Sequence, residues 1–154
     1  MFVPKISSTK PGLGVGVIIL NSAGQVLIGK RLKDRCYGFP GGHLENYESW
    51  EDCTSRETRE ETGLKIQAST FKLVCVQNVH DEKKDYHYLS IIMISKCPED
   101  QEPKNIEPTS CEGWEWWDVE ELFKRRDEMF LPIQRLLEKD VCLNLRRLCK
   151  MFAI

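Results

Sequence analysis

Three glutamates crowd into one short run, Arg56-Glu57-Thr58-Arg59-Glu60-Glu61. Carboxylate oxygens are the natural ligands of hard divalent cations, and Mg²⁺ typically takes one or two carboxylates together with substrate phosphates and water. Ser49 with Asp52 three residues on is a helix-start signal and Gly63 a stop, so Trp50 to Thr62 reads as a helix of about three and a half turns. At ~100° per residue, Trp50, Cys53, Thr54, Glu57 and Glu61 share one side, with Glu60 at its margin. Glu51, Asp52, Ser55 and Arg59 face away. A solvated helix places its acids opposite the apolar stripe, whereas here the acids continue the stripe. Acids turned toward the protein body need a counter-charge. Gly41-Gly42, just ahead of the helix, lets a ligand approach backbone closely. The combination predicts a metal–phosphate site made of one loop and one helix. The competing reading is a solvent-facing run with local salt bridges, which describes most Glu-rich helices.

The elements that must carry this site are legible in outline. Gly12–Leu20 is a β-branched apolar run, Asn21-Ser22-Ala23-Gly24 supplies a turn, and Gln25–Arg31 reads as a second strand in hairpin with the first. Phe71–His80 and Tyr86–Cys97 read as strands separated by the polar turn Asp81–Asp85. Pro98–Pro108 carries three prolines among charges and reads as a loop. Trp114–Trp117 looks like a short last strand, with its alternating tryptophans assigned to core or dimer contact. Asp118 caps a following helix, and Leu131–Leu145, with Ile133, Leu136, Leu137 and Val141 in helical spacing, reads as a terminal helix.

The chain has 154 residues, 30% of them charged and 41% hydrophobic, one globular domain's worth, with a core expected over about 12–145. Its formal charge of −2 gives no global drive toward nucleic acid or an anionic membrane. The longest apolar stretch, Val15–Leu20, is far short of a membrane helix. Met1-Phe2-Val3-Pro4-Lys5 shows no signal-peptide pattern. Seven cysteines form no Cys-x-x-Cys pair and read as reduced thiols, which points to the cytoplasm and away from zinc.

The full spacing is Gly42-x5-Glu48-x7-Arg56-Glu57-x-x-Glu60-Glu61-x-Gly63-Leu64. Seven such positions coincide by chance at ~10⁻⁸ per start site if each residue type is near 7% of usage. The pattern resembles the Nudix box, the signature of hydrolases that cleave a nucleoside diphosphate linked to another moiety. Thr58 departs from it, standing where the family usually has a bulky aliphatic residue. Beyond the box, GVGVIIL, Leu27–Arg31, FPGGHLE, YHYLSIIM, EPKNIEP and CEGWEWW look like the MutT-type branch acting on nucleoside and pterin triphosphates.

The resemblance implies an α/β/α sandwich around a mixed sheet. It implies that Glu57, Glu61 and Glu60 bind Mg²⁺, or Mn²⁺ in its place, with the Gly41 carbonyl, and that Arg56 and Glu48 hold helix and loop in register. Glu60 or Glu57 would take the proton of the attacking water, and Glu107 or Glu112 would add a carboxylate from the loop. Arg31 matches a phosphate-contacting position, and His43 would reach a phosphate or base. Phe39, Phe130 and Leu131 would wall the base, with Leu131 in place of the tryptophan usual in the branch. Gly42, Glu48 and Gly63 are structural. The expected activity is a Mg²⁺-dependent nucleoside-triphosphate diphosphatase releasing a monophosphate and pyrophosphate, with guanine-like or modified purine nucleotides preferred. A dihydroneopterin-triphosphate, NADH or nucleoside-diphosphate-sugar hydrolase is the enzymatic alternative. A non-catalytic nucleotide-binding domain is a different class, and decapping of capped RNA has no RNA-binding appendage to support it. The expected partner is a small nucleotide, with neither nucleic acid nor membrane. Family relatives are often homodimers, for which the tryptophan-rich strand offers a surface.

Overall fold

A computed structural model describes residues 10–138 and 145–153. In chain order the strands are β1 (Gly12–Leu20), β2 (Val26–Arg31), β3 (Tyr37–Gly38), β4 (Gly41–His43), β5 (Lys72–Asp81), β6 (Tyr86–Lys96) and β7 (Cys111–Trp117). The helices are α1 (Trp50–Thr62), α2 (Val119–Lys124), α3 (Leu131–Glu138) and α4 (Leu145–Ala153). All seven strands join one sheet in the order β3-β2-β1-β6-β5, with β4 paired to β1 and β7 to β2. The sheet is mixed: β1 runs parallel to β6 from Gly12 opposite Tyr88 to Leu20 opposite Lys96, while β5 and β6 form an antiparallel hairpin.

The central strands are apolar on both faces because both faces are covered. Val15, Val17 and Ile19 of β1, with Ile91 and Met93 of β6, pack toward Cys53 of α1 and toward Leu64, Ile66 and Phe71. Their alternates Ile18, Leu20, Ile92 and Ile94 pack toward Leu122 of α2, Ile133, Leu136 and Leu137 of α3, and Leu145 and Cys149 of α4. The period of two along each strand thus divides one apolar run between two cores. The result is the three-layer α/β/α sandwich that the resemblance to the Nudix box implies.

Both ends of α1 follow their local chemistry. The Ser49 hydroxyl accepts the Asp52 amide at 3.0 Å and donates to the Asp52 carboxylate at 2.7 Å. Gly63 ends the helix at φ 73°, a left-handed conformation that lacks penalty only without a Cβ, and its amide returns to the Arg59 carbonyl.

Four expectations change. Trp50, placed at the head of the inward stripe, is exposed, and the buried line is Cys53, Thr54, Thr58 and Thr62. Trp50 opens α1 at 38% exposure, while Cys53 and Thr54, three and four residues on, are fully buried. The last strand begins at Cys111, because residues 111–117 pair with β2 along its length and not only at the tryptophans. The terminal helix of Leu131–Leu145 stops at Glu138, and Leu145 begins a separate helix; Val141 lies outside the described residues. The short strands β3 and β4 give too few residues to show a period, and sequence alone reads them as loop. The six described cysteines are all free thiols, as expected.

Candidate active site

β4 lays Gly41 and Gly42 against β1, Gly41 opposite Gly16 and Gly42 opposite Val15. α1 crosses above them. A Cβ on Gly42 would land inside the Glu57 carboxylate, and one on Gly41 would strike the Val15 carbonyl. The two glycines therefore serve different contacts, one admitting a side chain and the other a backbone strand.

Arg56 holds the loop and the helix together. Its Nε and Nη2 donate to the two oxygens of Glu48 at 2.7 and 2.9 Å. Nη2 also donates to the His43 carbonyl at 3.1 Å, while Nη1 donates to Glu57 at 2.8 Å and Glu60 at 3.2 Å. The fork is what permits so many partners at once, since an ammonium lacks its planar spread of donors. Arg56 holds the Glu48 carboxyl down at about 2. The expected register contact of Arg56 and Glu48 is therefore present.

Glu57, Glu60 and Glu61 of α1 sit in three different environments. Glu60 is 47% exposed, whereas Glu57 is only 13% exposed. Burial raises the Glu57 carboxyl, opposed by the neighbouring guanidinium of Arg56. Burial pushes Glu61 up to about 8, and the charges of Glu57 and Glu107 push it the same way, against a backbone contact from Gly41 and the charge of Arg31. Among the described residues, no three His, Cys, Asp or Glu side chains close around a single point. Arg56 accounts for this in part, because it draws Glu57 and Glu60 to its own nitrogens. The donor set nevertheless suits a hard cation, with carboxylate and carbonyl oxygens and an excess of negative charge from Glu57, Glu61 and Glu107 around one cleft.

Two clefts meet beside these acids. The smaller, about 450 Å³, is lined by Glu61, Glu107, Arg31, Lys33 and Gly41. The larger, about 810 Å³, is lined by Phe39, Gly42, His43, Tyr86, Tyr88, Phe130 and Leu131 among others. Arg31, Lys33, Phe39 and Gly41 border both. Arg31 is held there by its Nε on Asp34 at 3.0 Å and by its guanidinium lying 3.8 Å over the Phe130 ring. Tyr86 stacks on Tyr88 at 4.8 Å and meets Phe130 edge-on at 5.8 Å, and Tyr88 shares a 2.9 Å hydrogen bond with His43. Leu131 is buried at the wall of the larger cleft.

The structure thus brings together Glu57, Glu60, Glu61, Gly41, Gly42, Arg56 and Glu48 around one helix, with Glu107 facing Glu61. Glu112 does not join them. It pairs with Arg35 at the outer surface, because β7 turns its side chain away from the cleft. Tyr86, Tyr88, Lys33 and Asp34 complete the clefts and were not singled out as site residues from sequence. Alternation within β6 gives no sign that Tyr86 and Tyr88 face a cavity and not a core.

A family model for the NUDIX domain matches residues 10–138, and the chain belongs to that family. The chain is 41% identical over 63 residues to the 8-oxo-dGDP phosphatase NUDT18 of Danio rerio, a match covering 39% of this chain and 19% of that protein. It is 42% identical over 53 residues to the RNA pyrophosphohydrolase of Ectopseudomonas mendocina, covering 34% of this chain and 33% of that one. The matches therefore span a third or less of those relatives' length. Among solved structures, the MutT NUDIX hydrolase from Burkholderia pseudomallei superimposes with a TM-score of 0.69 at 24% identity, covering 86% of this chain and 99% of that one. The NUDIX domain of Shewanella oneidensis NrtR, solved with ADP ribose, superimposes with a TM-score of 0.72 at 16% identity, covering 95% and 94%. Both show the same fold.

Proposed function

We propose that this chain is a divalent-cation-dependent nucleoside-triphosphate diphosphatase, converting a purine (d)NTP of guanine or modified type to the monophosphate and pyrophosphate. The observation that carries this is the pair of joined clefts. The acids Glu61 and Glu107 line one, aromatic rings line the other, and Arg31 stands at their border. A nucleoside polyphosphate has that same division, with a flat ring at one end and a row of anionic oxygens at the other. The similarity to a protein named as an 8-oxo-dGDP phosphatase supports a purine reading.

Glu57 and Glu61 would hold the cation, with Glu60, Glu107 and the Gly41 carbonyl as further donors. Mg²⁺ is the expected ion and Mn²⁺ its substitute; a structural neighbour from Francisella tularensis was solved with a Mn ion and AMP. When bound, such a cation neutralises phosphate oxygens and acidifies a water. Arg31 and Lys33 offer donors to the polyphosphate oxygens from the cleft border. Phe39, Tyr86 and Phe130 offer faces for the base, and His43 a polar group beside it. Glu57 or Glu60 would accept a proton from the water as its oxygen bonds to the middle phosphorus, and the bond from that phosphorus to the departing nucleoside monophosphate would break, leaving pyrophosphate. Arg56 keeps both glutamates in place.

The larger cleft also favours a second reading on the same scaffold, a nucleoside diphosphate linked to another moiety such as a dinucleotide, because 810 Å³ exceeds what a base alone fills. A panel of purine, pyrimidine and pterin triphosphates plus dinucleotides, assayed with and without Mg²⁺, tests both. Purine triphosphates giving monophosphate and pyrophosphate only with cation present is the expected result. Turnover unaffected by chelation would overturn the proposal. A site in a cytoplasmic homodimer fits this function and is tested by sedimentation.

A further inference from the structure

The loop between β6 and β7 is fastened to the site by its backbone on both sides of one side chain. Lys104 donates its amide to the Thr62 carbonyl at 2.8 Å, and Ile106 donates to the Glu61 carbonyl at 3.3 Å. These are carbonyls of the last turn of α1, which lack partners within the helix. Between them lies Asn105, whose Nδ2 donates to the Cys111 carbonyl at 2.8 Å. Its Oδ1 is buried without a hydrogen-bond partner, so the side chain is fastened to the protein through Nδ2. Cys111 opens β7 opposite Arg31 on β2. The Glu107 carbonyl in turn accepts the amides of Ser110 and Cys111 at 2.9 and 3.1 Å. Asn105 therefore ties the stretch before Glu107 to the strand after it, closing the loop on the acid it carries. The Glu107 carboxyl lines the same cleft as Glu61, and its charge is felt by both Glu57 and Glu61.

We propose that Asn105 is a positioning residue that holds Glu107 beside Glu57 and Glu61, making the loop acid a member of the cation-holding set. This rests on the reading that Glu57 and Glu61 hold a divalent cation. Groups that orient a ligand without touching the metal commonly control its affinity by ten- to a hundredfold. Asn105 acts here through one hydrogen bond, by keeping the loop from swinging Glu107 into solvent.

The test is Mn²⁺ binding to the full chain without substrate, followed by the electron paramagnetic resonance signal of the free ion. Glu107→Gln is expected to weaken binding roughly tenfold, Asn105→Ala to weaken it by a similar factor, and the double variant to lose no more than Glu107→Gln alone. Asn105→Ser serves as the smaller lesion where Asn105→Ala does not fold. Wild-type affinity in the folded Asn105 variant, or losses that multiply in the double variant, would overturn the positioning role. Glu61→Gln separates the two levels. Lost Mn²⁺ binding there with normal binding in the Asn105 variants removes only the present proposal, whereas normal binding in Glu61→Gln removes the cation site itself.

Discussion

Arg56 grips Glu48 with two nitrogens on two oxygens, Nε to Oε1 at 2.7 Å and Nη2 to Oε2 at 2.9 Å, and so locks the loop after β4 onto α1. The same guanidinium reaches Glu57 and Glu60. A single side chain thereby sets both the attachment of the loop and the direction of two acids.

Arg56→Lys keeps the charge and loses the fork. Stability is expected to fall by about 2 kcal/mol in urea unfolding, since Glu48 is left short of donors. Glu48→Gln should cost a similar amount, and the double variant little more than either, because both remove one contact. The pair also has a pH signature. Glu48 is depressed in the fold to about 2 from an ordinary 4.5, so its stabilisation is complete above about 4.5 and disappears as pH falls through about 2. Acid titration of unfolding in wild type, but not in Glu48→Gln, should show that loss.

Glu61→Gln removes a proposed cation ligand, and turnover is expected to drop at least ~10²-fold with Mg²⁺ saturating. Steady-state kinetics on the preferred nucleotide provides the check. Near-wild-type turnover would exclude Glu61 as a ligand.

Without added cation, Glu61 should make the protein less stable as pH rises. Its folded pKa of about 8 lies above the ordinary 4.5, so the fold binds more protons than the unfolded chain between those values. The contribution is most favourable below about 4.5 and declines as pH rises through about 8. Glu61→Gln should flatten that slope and be more stable than wild type at pH 8, by on the order of 4 kcal/mol. Thermal melts of both proteins in chelator across pH 5–9 measure it; parallel slopes would refute the assignment.

The two adjacent glycines should fail differently. In Gly42→Ala the new methyl meets the Glu57 carboxylate, a side chain able to swing aside, so activity should fall more than tenfold while the melting temperature changes little. In Gly41→Ala the methyl meets the Val15 carbonyl of the central strand, and the folded protein itself should be lost or strongly destabilised. Melting curves alongside activity distinguish the two outcomes.

Thr58 is fully buried and its hydroxyl oxygen lacks a partner. Thr58→Val replaces that hydroxyl by a methyl of similar shape and should stabilise the protein by about 1 kcal/mol, with kinetics unchanged. A lower melting temperature would show that the hydroxyl is satisfied in solution.

The box glutamates were legible because their order along one helix fixes their neighbours: residues three and four apart on a helix share a face wherever the helix is placed. The contact of Arg56 with Glu48 was legible only through the resemblance to the Nudix box, since neither helical phase nor turn chemistry pairs a loop residue with one eight positions on. Trp50 was misjudged because helical phase says which residues align, not how completely each is covered. Glu107 and Glu112 were indistinguishable as loop acids, and only the fastening of residues 104–106 to the end of α1 separates them.

Local periodicity, capping and turn chemistry in this sequence determine where α1 begins and ends, which strands are long and apolar on both faces, and that three acids cluster ahead of Gly63. These are short-range consequences of backbone geometry. The meeting of two clefts at Arg31, the aromatic wall of Tyr86, Tyr88 and Phe130, and the approach of Glu107 to Glu61 were decided by tertiary structure alone. Each joins segments tens of residues apart, and their distances depend on how the parallel β1–β6 pairing and the β2–β7 pairing bring distant strands side by side.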